Sequence, residues 1–170
     1  MMVIVMGVCG CGKTTVGRAL ARELGGEFLD ADDFHPPANV SKMASGTALT
    51  DDDRWPWLDA IVAAMHEHAA RGRGVVVACS ALKEAYRERL RRGGSALDEV
   101  RIVYLKGEAE AIAPRLASRS GHFMPAALLA SQFAALEEPR DAIVVDIGQP
   151  PDEQVRQIVA ALQSTSASAA

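Results

Sequence analysis

The segment that most constrains this chain is Gly7-Val8-Cys9-Gly10-Cys11-Gly12-Lys13-Thr14. It fits the pattern G-x-x-x-x-G-K-[ST], which is typical of a phosphate-binding loop between a strand and a helix. The apolar run Met2 to Met6 precedes the loop, and an amphipathic stretch from Thr15 to Leu24 follows it. The chain therefore has the strand–loop–helix context that this pattern needs for confirmation.

The residue types in this loop suit it to hold the phosphates of ATP. Its glycines allow a tight turn in which backbone N–H groups point at phosphate oxygens, and the following helix adds its positive N-terminal end. The Lys13 ammonium can reach the terminal phosphates, and the Thr14 hydroxyl can bind Mg²⁺. We therefore predict nucleotide contacts for Gly7, Val8, Cys9, Gly10, Cys11, Gly12, Lys13, Thr14 and Thr15.

Composition limits what else the chain can be. Its 170 residues, 49% of them hydrophobic, predict one domain over residues 1–163 and a disordered polar tail over residues 164–170. A net charge of −4 provides no basic field for nucleic acid or an anionic membrane. We also predict no signal peptide, because the opening apolar run is too short and is ended by glycine.

Three cysteines, an odd and low number, predict a reducing, cytoplasmic location. Cys9 and Cys11 could also be interpreted as a metal or redox pair, but their C-x-C spacing lacks a second ligand pair. We expect both to be small side chains that face away from the phosphates.

Short apolar runs alternate with longer amphipathic stretches, which is typical of a parallel sheet covered by helices. The predicted strands are 3–6, 27–30, 75–79, 102–105 and 142–145. The predicted helices are 15–24, a segment around Trp57–Met65 that ends before Gly72, 82–92, 108–118, 125–136 and 151–162.

Carboxylates follow the second strand, where Asp30, Asp32 and Asp33 come within four residues. Ligands of parallel sheets bind beyond the carboxyl ends of the strands, so Asp30 or Asp32 is expected near the metal and the γ-phosphate. The third strand ends without an aspartate, which favours the second strand for the metal. Asp146 is an alternative, and Asp33 could instead form a turn with an N-cap for the Pro36 segment.

Several blocks of this sequence resemble the gluconokinase family. They comprise Asp30–Pro36, Asn39, Lys42-Met43, Gly46, Leu49–Asp51, Asp53-Arg54, Trp57-Leu58, Cys79–Lys83, Tyr86-Arg87, Leu90-Arg91, Gly121–Met124, Leu128-Leu129, Ser131–Phe133 and Leu136-Glu137. The resemblance runs from residue 3 to about residue 147 and is more specific than the phosphate loop, which many families share. Cys9 and Cys11 depart from it, since serines are common there.

This resemblance implies an α/β, three-layer P-loop kinase fold like that of nucleoside monophosphate kinases. The five-stranded parallel sheet would have the order 2-3-1-4-5, with a substrate-binding segment at about 32–58 and a lid at about 115–126. The implied reaction is transfer of the ATP γ-phosphate to the 6-hydroxyl of D-gluconate, with Mg²⁺ required. The family is commonly dimeric, so a homodimer is expected.

For gluconate, a pocket must offer a cation and several hydrogen-bonding side chains. Arg54 is the predicted carboxylate clamp, with Lys42 as the second choice. His35, Asn39 and Ser80 are predicted to contact hydroxyl groups. Each of these three has a structural alternative: a turn cap for His35, an Asx-turn for Asn39 and a helix start for Ser80.

The remaining roles follow from the resemblance and from related shikimate kinases. Asp30 would hold Mg²⁺ through water, and Asp32 would face the acceptor hydroxyl. Arg119 is expected at the transferring phosphate and Arg115 near the base, unless these arginines form a solvated basic face. Gln149 and Pro150 are expected to edge the adenine pocket.

Two other functions are compatible with the phosphate loop. One is a shikimate or nucleoside monophosphate kinase, which differs in its acceptor. The other is a nucleotide-dependent switch or assembly factor, which would bind nucleotide without any small-molecule acceptor.

Overall fold

The structure, a computed structural model, describes residues 1–94, 99–117 and 126–167. Within these ranges five parallel strands form one sheet in the order β2-β3-β1-β4-β5, which is the predicted order. The strands are β1 (Met2–Met6), β2 (Glu27–Asp30), β3 (Val75–Ala78), β4 (Val100–Lys106) and β5 (Ile143–Asp146). The helices are α1 (Lys13–Glu23), α2 (Pro37–Ala44), α3 (Asp51–Ala70), α4 (Glu84–Arg91), α5 (Ala109–Ala117), α6 (Ala126–Ala135) and α7 (Pro151–Ala167).

Strand β1 is the centre of the sheet. All five of its residues are buried, and it pairs with β3 on one side and β4 on the other. Met2 lies in register with Val75 and Val100, and Met6 lies opposite Tyr104. Because the strands are parallel, the segment that leaves β1 emerges in the middle of the carboxyl edge of the sheet.

The two faces of the sheet carry separate cores, since successive side chains of a strand point to opposite faces. Val3 and Val5 belong to a core that also contains residues of α1, α5 and α7. Ile4 and Met6 belong to the other core, which α3 and α4 cover. Helices on both faces of the sheet give the predicted three-layer arrangement.

Helix α3 begins earlier than the apolar spacing around Trp57 suggests, because a capping box starts it at Asp51. The Thr50 hydroxyl accepts a hydrogen bond from the Asp53 backbone N–H (3.2 Å), and the Asp53 carboxylate accepts one from the Thr50 N–H (2.9 Å). Pro56 is the sixth residue of the helix, which continues past it.

Two segments differ from the sequence predictions. Helix α2 follows the acidic end of β2 and was not predicted; it begins at Pro37, where the fixed φ of proline suits a first helical position. Helix α7 ends at Ala167 rather than Leu162, so part of the predicted polar tail is helical, and the Ser164 hydroxyl donates to the Ala160 carbonyl (2.9 Å). No helix in the described part of the chain is long and apolar enough to cross a membrane.

The core beneath α3 gives a stability prediction. Leu58 is 0% exposed and packs in the core that contains Ile4. Replacement by Ala should lower the free energy of unfolding by about 2–5 kcal/mol, because methyl groups are lost and a cavity remains. Urea denaturation measures this, with Val40→Ala, at a 51% exposed position, as the control. Equal losses in the two variants would contradict the assignment of Leu58 to the core.

Candidate active site

The phosphate loop is packed too closely to accept side chains at Gly7 and Gly10. Gly7 has φ +145°, and a Cβ there would lie 2.8 Å from the Leu105 carbonyl oxygen. Gly10 has φ +83°, and its Cβ would lie 2.7 Å from the Leu116 Cγ. The Gly7 N–H donates to the Ser80 carbonyl oxygen (3.3 Å), which ties the loop to the end of β3. Glycine is therefore required at both positions.

The reactive residues of the loop lie at the start of α1. The Lys13 Nζ donates to the Val8 carbonyl oxygen (3.1 Å), so this ammonium folds over the loop. The Thr14 hydroxyl donates to Asp30 Oδ2 (3.1 Å). The two residues predicted from sequence as metal ligands are therefore in direct contact, although they belong to different strand–helix units.

Asp30 also organises the turn that carries Asp32. Its second carboxylate oxygen, Oδ1, accepts a hydrogen bond from the Asp32 N–H (3.2 Å) and caps the 3-10 turn Ala31–Phe34. The alternative that Asp33 caps the next helix is wrong, because α2 is preceded by Pro36 and has no side-chain cap. The Asp30 carboxylate supplies the cap in this region instead.

The pKa of the buried Cys79 thiol, directly after β3, depends on the charges of Lys13, Asp32 and Asp30. Burial raises the pKa of Cys79 to about 12, the positive charge of Lys13 lowers it, and the negative charges of Asp32 and Asp30 raise it. Asp30 pairs with Ala78 in the sheet, so it lies at the same end of β3 as Cys79. This is the edge at which parallel sheets bind ligands.

The two cysteines of the loop are free, as is Cys79. Cys11 is buried, and burial raises the pKa of its thiol despite the opposing charge of Lys13. Among the described residues, no group of three or more His, Cys, Asp or Glu side chains could hold a metal ion.

The Cys9 N–H donates to Oε1 of Gln132, in α6 (2.6 Å). The sequence analysis assigned no role to Gln132.

His35 and Asn39 both contact helix α3. The Asn39 side chain is buried and donates to the Asp53 carbonyl oxygen (2.8 Å), and its Nδ2 lies 3.4 Å from His35 Nδ1. The His35 ring stacks on Trp57, with centroids 4.4 Å apart. Burial lowers the pKa of His35, the charge of Asp32 opposes this, and the charge of Arg54 adds to it.

Lys42 is held by an acidic partner. Its Nζ lies 2.7 and 2.8 Å from the two carboxylate oxygens of Asp53, the same residue that forms the capping box of α3. Hydrogen bonds from Lys42 and Thr50 lower the pKa of Asp53 to about 2. Asp53 therefore fixes the position of α2 relative to the start of α3.

Arg54 belongs to a second group of paired charges. Its Nη1 donates to the Leu49 carbonyl oxygen (2.6 Å) and lies 3.8 Å from Asp51 Oδ1. Asp51 also accepts hydrogen bonds from Lys83 Nζ (2.9 Å) and from the Tyr86 hydroxyl. Hydrogen bonds from Tyr86 and Lys83 lower the pKa of Asp51, and the Arg54 charge contributes. Asp51, Lys83 and Tyr86 belong to the sequence blocks that resemble the gluconokinase family, but the sequence predicted no roles for them.

Arg115, Gln149 and Pro150, which the sequence predicts near the adenine, lie at the β5 side of this edge. The Arg115 Nη2 donates to the Ile147 carbonyl oxygen (2.8 Å), immediately before the Gly148–Pro150 loop. Gln149 in that loop accepts from Gln154 through its backbone oxygen (2.7 Å), and Pro150 directly precedes α7. The predicted lid is described only through residue 117 and at residue 126, so Arg119 lies outside the described residues.

Asp146, the alternative metal ligand, ends the outer strand β5 and is not adjacent to β1 in the sheet. Its Oδ1 accepts a hydrogen bond from the Gly148 N–H (2.7 Å), within the loop that follows the strand. Asp30, in contrast, contacts the phosphate loop directly through Thr14.

A glycine-rich loop at the end of the central strand, a lysine over that loop and a carboxylate against its threonine define a P-loop kinase. A family model described as an AAA domain matches residues 2–139. A gluconokinase of Gluconobacter oxydans (strain 621H) is 51% identical over 138 residues, 81% of this chain and 76% of that protein. The chain belongs to the gluconokinase family.

Solved structures agree with this assignment. A gluconokinase from Sinorhizobium meliloti 1021 is 44% identical with a TM-score of 0.83, and the match covers 96% of this chain and 92% of that one. A shikimate kinase from Aquifex aeolicus vf5 matches 98% of each chain with a TM-score of 0.59 but is only 16% identical. That second similarity extends to the fold alone.

The Asp53 carboxylate gives a prediction about pH. Its pKa is lowered from 3.8 to about 2 in the folded protein, so the ionised group stabilises the fold above pH 4, and this stabilisation is lost as the pH falls towards 2. Asp53→Asn should therefore be less stable than the parent at pH 7, and the difference should shrink between pH 4 and 2. Thermal unfolding midpoints across this range measure it.

The matched control is Asp52→Asn, which removes an exposed carboxylate from the same helical turn. It should change the unfolding midpoint little at any pH. A stability difference for Asp53→Asn that stays constant from pH 7 to 2 would contradict the role given to the Asp53 charge.

Proposed function

We propose that this protein is a gluconokinase, which transfers the ATP γ-phosphate to the 6-hydroxyl of D-gluconate and forms 6-phospho-D-gluconate and ADP. The observation that carries this proposal is the contact between Thr14 of the phosphate loop and Asp30 at the end of β2, with Asp32 one short turn beyond. This contact brings a triphosphate site and a carboxylate suited to an acceptor hydroxyl to one edge of the sheet.

The side chains at this contact suit Mg²⁺. The Thr14 hydroxyl and the Asp30 carboxylate both present oxygen, which Mg²⁺ prefers, and proteins commonly bind this ion through one or two such groups together with substrate phosphates. We propose that Thr14 binds the ion directly and that Asp30 holds it through water. When bound, Mg²⁺ neutralises charge on the β- and γ-phosphates.

Lys13 and Asp32 are the proposed catalytic residues on the described part of the chain. The Lys13 ammonium, which lies over the loop at Val8, would stabilise the negative charge of the transferring phosphoryl group. Asp32 would orient the 6-hydroxyl and accept its proton. A strong base is not required, because the transition state is loose and positioning supplies most of the rate. Arg119 would add a further positive charge at the phosphoryl group.

The sugar acid would lie between β2, α2 and the start of α3. Arg54 is the proposed partner of its carboxylate, since a guanidinium can donate two parallel hydrogen bonds, and Lys42 is the second cation. His35, Asn39 and Ser80 would contact hydroxyl groups. Burial lowers the His35 pKa and so favours the neutral ring, which offers one donor and one acceptor nitrogen.

The adenine of ATP would lie beside the loop Gly148–Pro150, which connects β5 to α7. Arg115, Gln149 and Pro150 would border the adenine, because Arg115 is bonded next to the loop that carries the other two.

Three free cysteines favour a reducing, cytoplasmic location. A homodimer is proposed from the resemblance to the family.

The choice of acceptor is tested by measuring ADP release with Mg-ATP and gluconate, shikimate or a nucleoside monophosphate. We expect turnover with gluconate only, and identification of the product as the 6-phosphate. Lys13→Ala should lower kcat by about two to three orders of magnitude, because a charge partner of the transition state is lost. Lys106→Ala is the control, since Lys106 pairs with Glu138 outside the proposed site.

A gluconate rate no higher than the shikimate rate would favour the shikimate-kinase alternative. Nucleotide binding without any acceptor would favour the switch or assembly factor. Either result would overturn the proposed function.

The variant Arg54→Ala tests whether Arg54 binds gluconate or ATP. The KM for gluconate should rise at least tenfold, because the carboxylate loses a charged hydrogen-bonding partner, while the KM for ATP should change little. Steady-state kinetics with each substrate varied in turn measures this. The control is Arg71→Ala, an exposed arginine just past the other end of α3. A defect in the KM for ATP alone would place Arg54 in the nucleotide site.

A further inference from the structure

Among the described residues, Gln132 is a side chain outside the phosphate loop that accepts a hydrogen bond from the loop backbone. It belongs to α6, is half-buried, and lies 123 positions from Cys9 in the sequence. Its Oε1 lies 2.6 Å from the Cys9 backbone nitrogen, a short distance for an N–H···O hydrogen bond. A backbone N–H can only donate, so the carbonyl end of the Gln132 amide must face the loop.

Six N–H groups of the loop, those of residues 7, 9, 10, 11, 12 and 14, fall into two sets. Those of Gly7, Cys9 and Cys11 donate to protein acceptors, namely the Ser80 carbonyl, the Gln132 side chain and the Val8 carbonyl. Within the described ranges, the N–H groups of Gly10, Gly12 and Thr14 have no protein acceptor. The first set can anchor the loop, and the second set is available for phosphate oxygens.

Gln132 is the side-chain acceptor in the anchoring set, because the other two acceptors are backbone carbonyls. Helix α5 confines the same part of the loop by packing. A Cβ at Gly10 would lie 2.7 Å from the Leu116 Cγ and 3.0 Å from the Ile112 Cγ2. The turn at residues 9–10 is therefore held by apolar contact with α5 and by a hydrogen bond to α6.

We propose that Gln132 is a positioning residue for the phosphate loop, which fixes the Cys9 peptide so that the neighbouring N–H groups point at the phosphates of ATP. The proposal rests on the proposed function only in requiring that the loop binds ATP. Gln132 acts through the loop, so its loss should weaken phosphate binding and slow phosphoryl transfer without altering the sugar-acid pocket.

The decisive variant is Gln132→Met, which keeps the length of the side chain and removes the strong acceptor. We expect the dissociation constant for a non-hydrolysable Mg-ATP analogue to rise about tenfold, as the loss of one hydrogen bond allows. The kcat with gluconate should fall on the order of a hundredfold, because misplacement of about 1 Å has effects of this size. The KM for gluconate should stay within about twofold of the parent.

The matched control is Gln163→Met, which makes the same replacement at an exposed position of α7. It should leave analogue binding and kcat unchanged. Because the analogue needs no acceptor, its binding tests Gln132 even if gluconate proves not to be a substrate. Failure of the proposed function and failure of this proposal are therefore distinguishable.

Amide hydrogen exchange followed by NMR tests the hydrogen bond from the Cys9 N–H to Gln132 directly in the parent protein. In the nucleotide-free parent, the Cys9 amide should exchange much more slowly than the Gly10 amide. Gln132→Glu keeps an acceptor oxygen and should retain this protection, whereas Gln132→Met should lose it.

Equal exchange at Cys9 and Gly10 in the parent would overturn the proposal. Unchanged analogue affinity in Gln132→Met would do the same. Tighter analogue binding would also overturn it, because it would show that Gln132 competes with phosphate for the Cys9 N–H.

Discussion

The fully buried strand β1, paired on both sides, is the constraint on which the rest of the structure depends. Its pairing with β3 and β4 fixes where Met6 ends and therefore where the phosphate loop begins. The Gly7 N–H bond to the Ser80 carbonyl then joins the loop to the end of the neighbouring strand. With the loop fixed in this way, the N-terminus of α1 faces the carboxyl edge of the sheet, where an anion is stabilised.

Paired charges organise the substrate side of the same edge. Asp53 caps α3 and binds Lys42, and Asp51 binds Lys83 and Tyr86 beside Arg54. These carboxylates hold cationic side chains near the proposed sugar-acid pocket while the same two residues begin a helix. The acidic first turn of α3 therefore stabilises the start of the helix and also pairs with these cations.

Much of the fold was predictable because its signals are local. Strand β2 has the predicted bounds, and the other strands differ by one or two residues at their ends, which is where hydrogen-bond assignment and apolar pattern normally diverge. The strand order is confirmed, although it came from resemblance to a family and not from periodicity. Helix α2 was missed because it is short and carries a mixed polar surface after a proline.

In the site, the ends of strands located some of the predicted neighbours. Thr14 and Asp30 were predicted to share a metal site, and the structure places their oxygen atoms 3.1 Å apart. The Asp33 cap was wrong because α2 is preceded by Pro36 and has no side-chain cap, whereas Asp30, three residues before Asp33, caps the preceding 3-10 turn. The contact of Gln132 with the loop could not be predicted, because no local pattern links α6 to a loop 123 residues away.

The sequence by itself determined the phosphate loop, the alternation of strands and helices, and membership of a kinase family. These depend on glycine spacing, apolar runs and local residue blocks, which are written along the chain. Only the tertiary structure decided which loop N–H groups are anchored and which face the ligand site, and which carboxylate holds which cation. Those properties depend on hydrogen bonds between groups far apart in sequence, which only folding brings together.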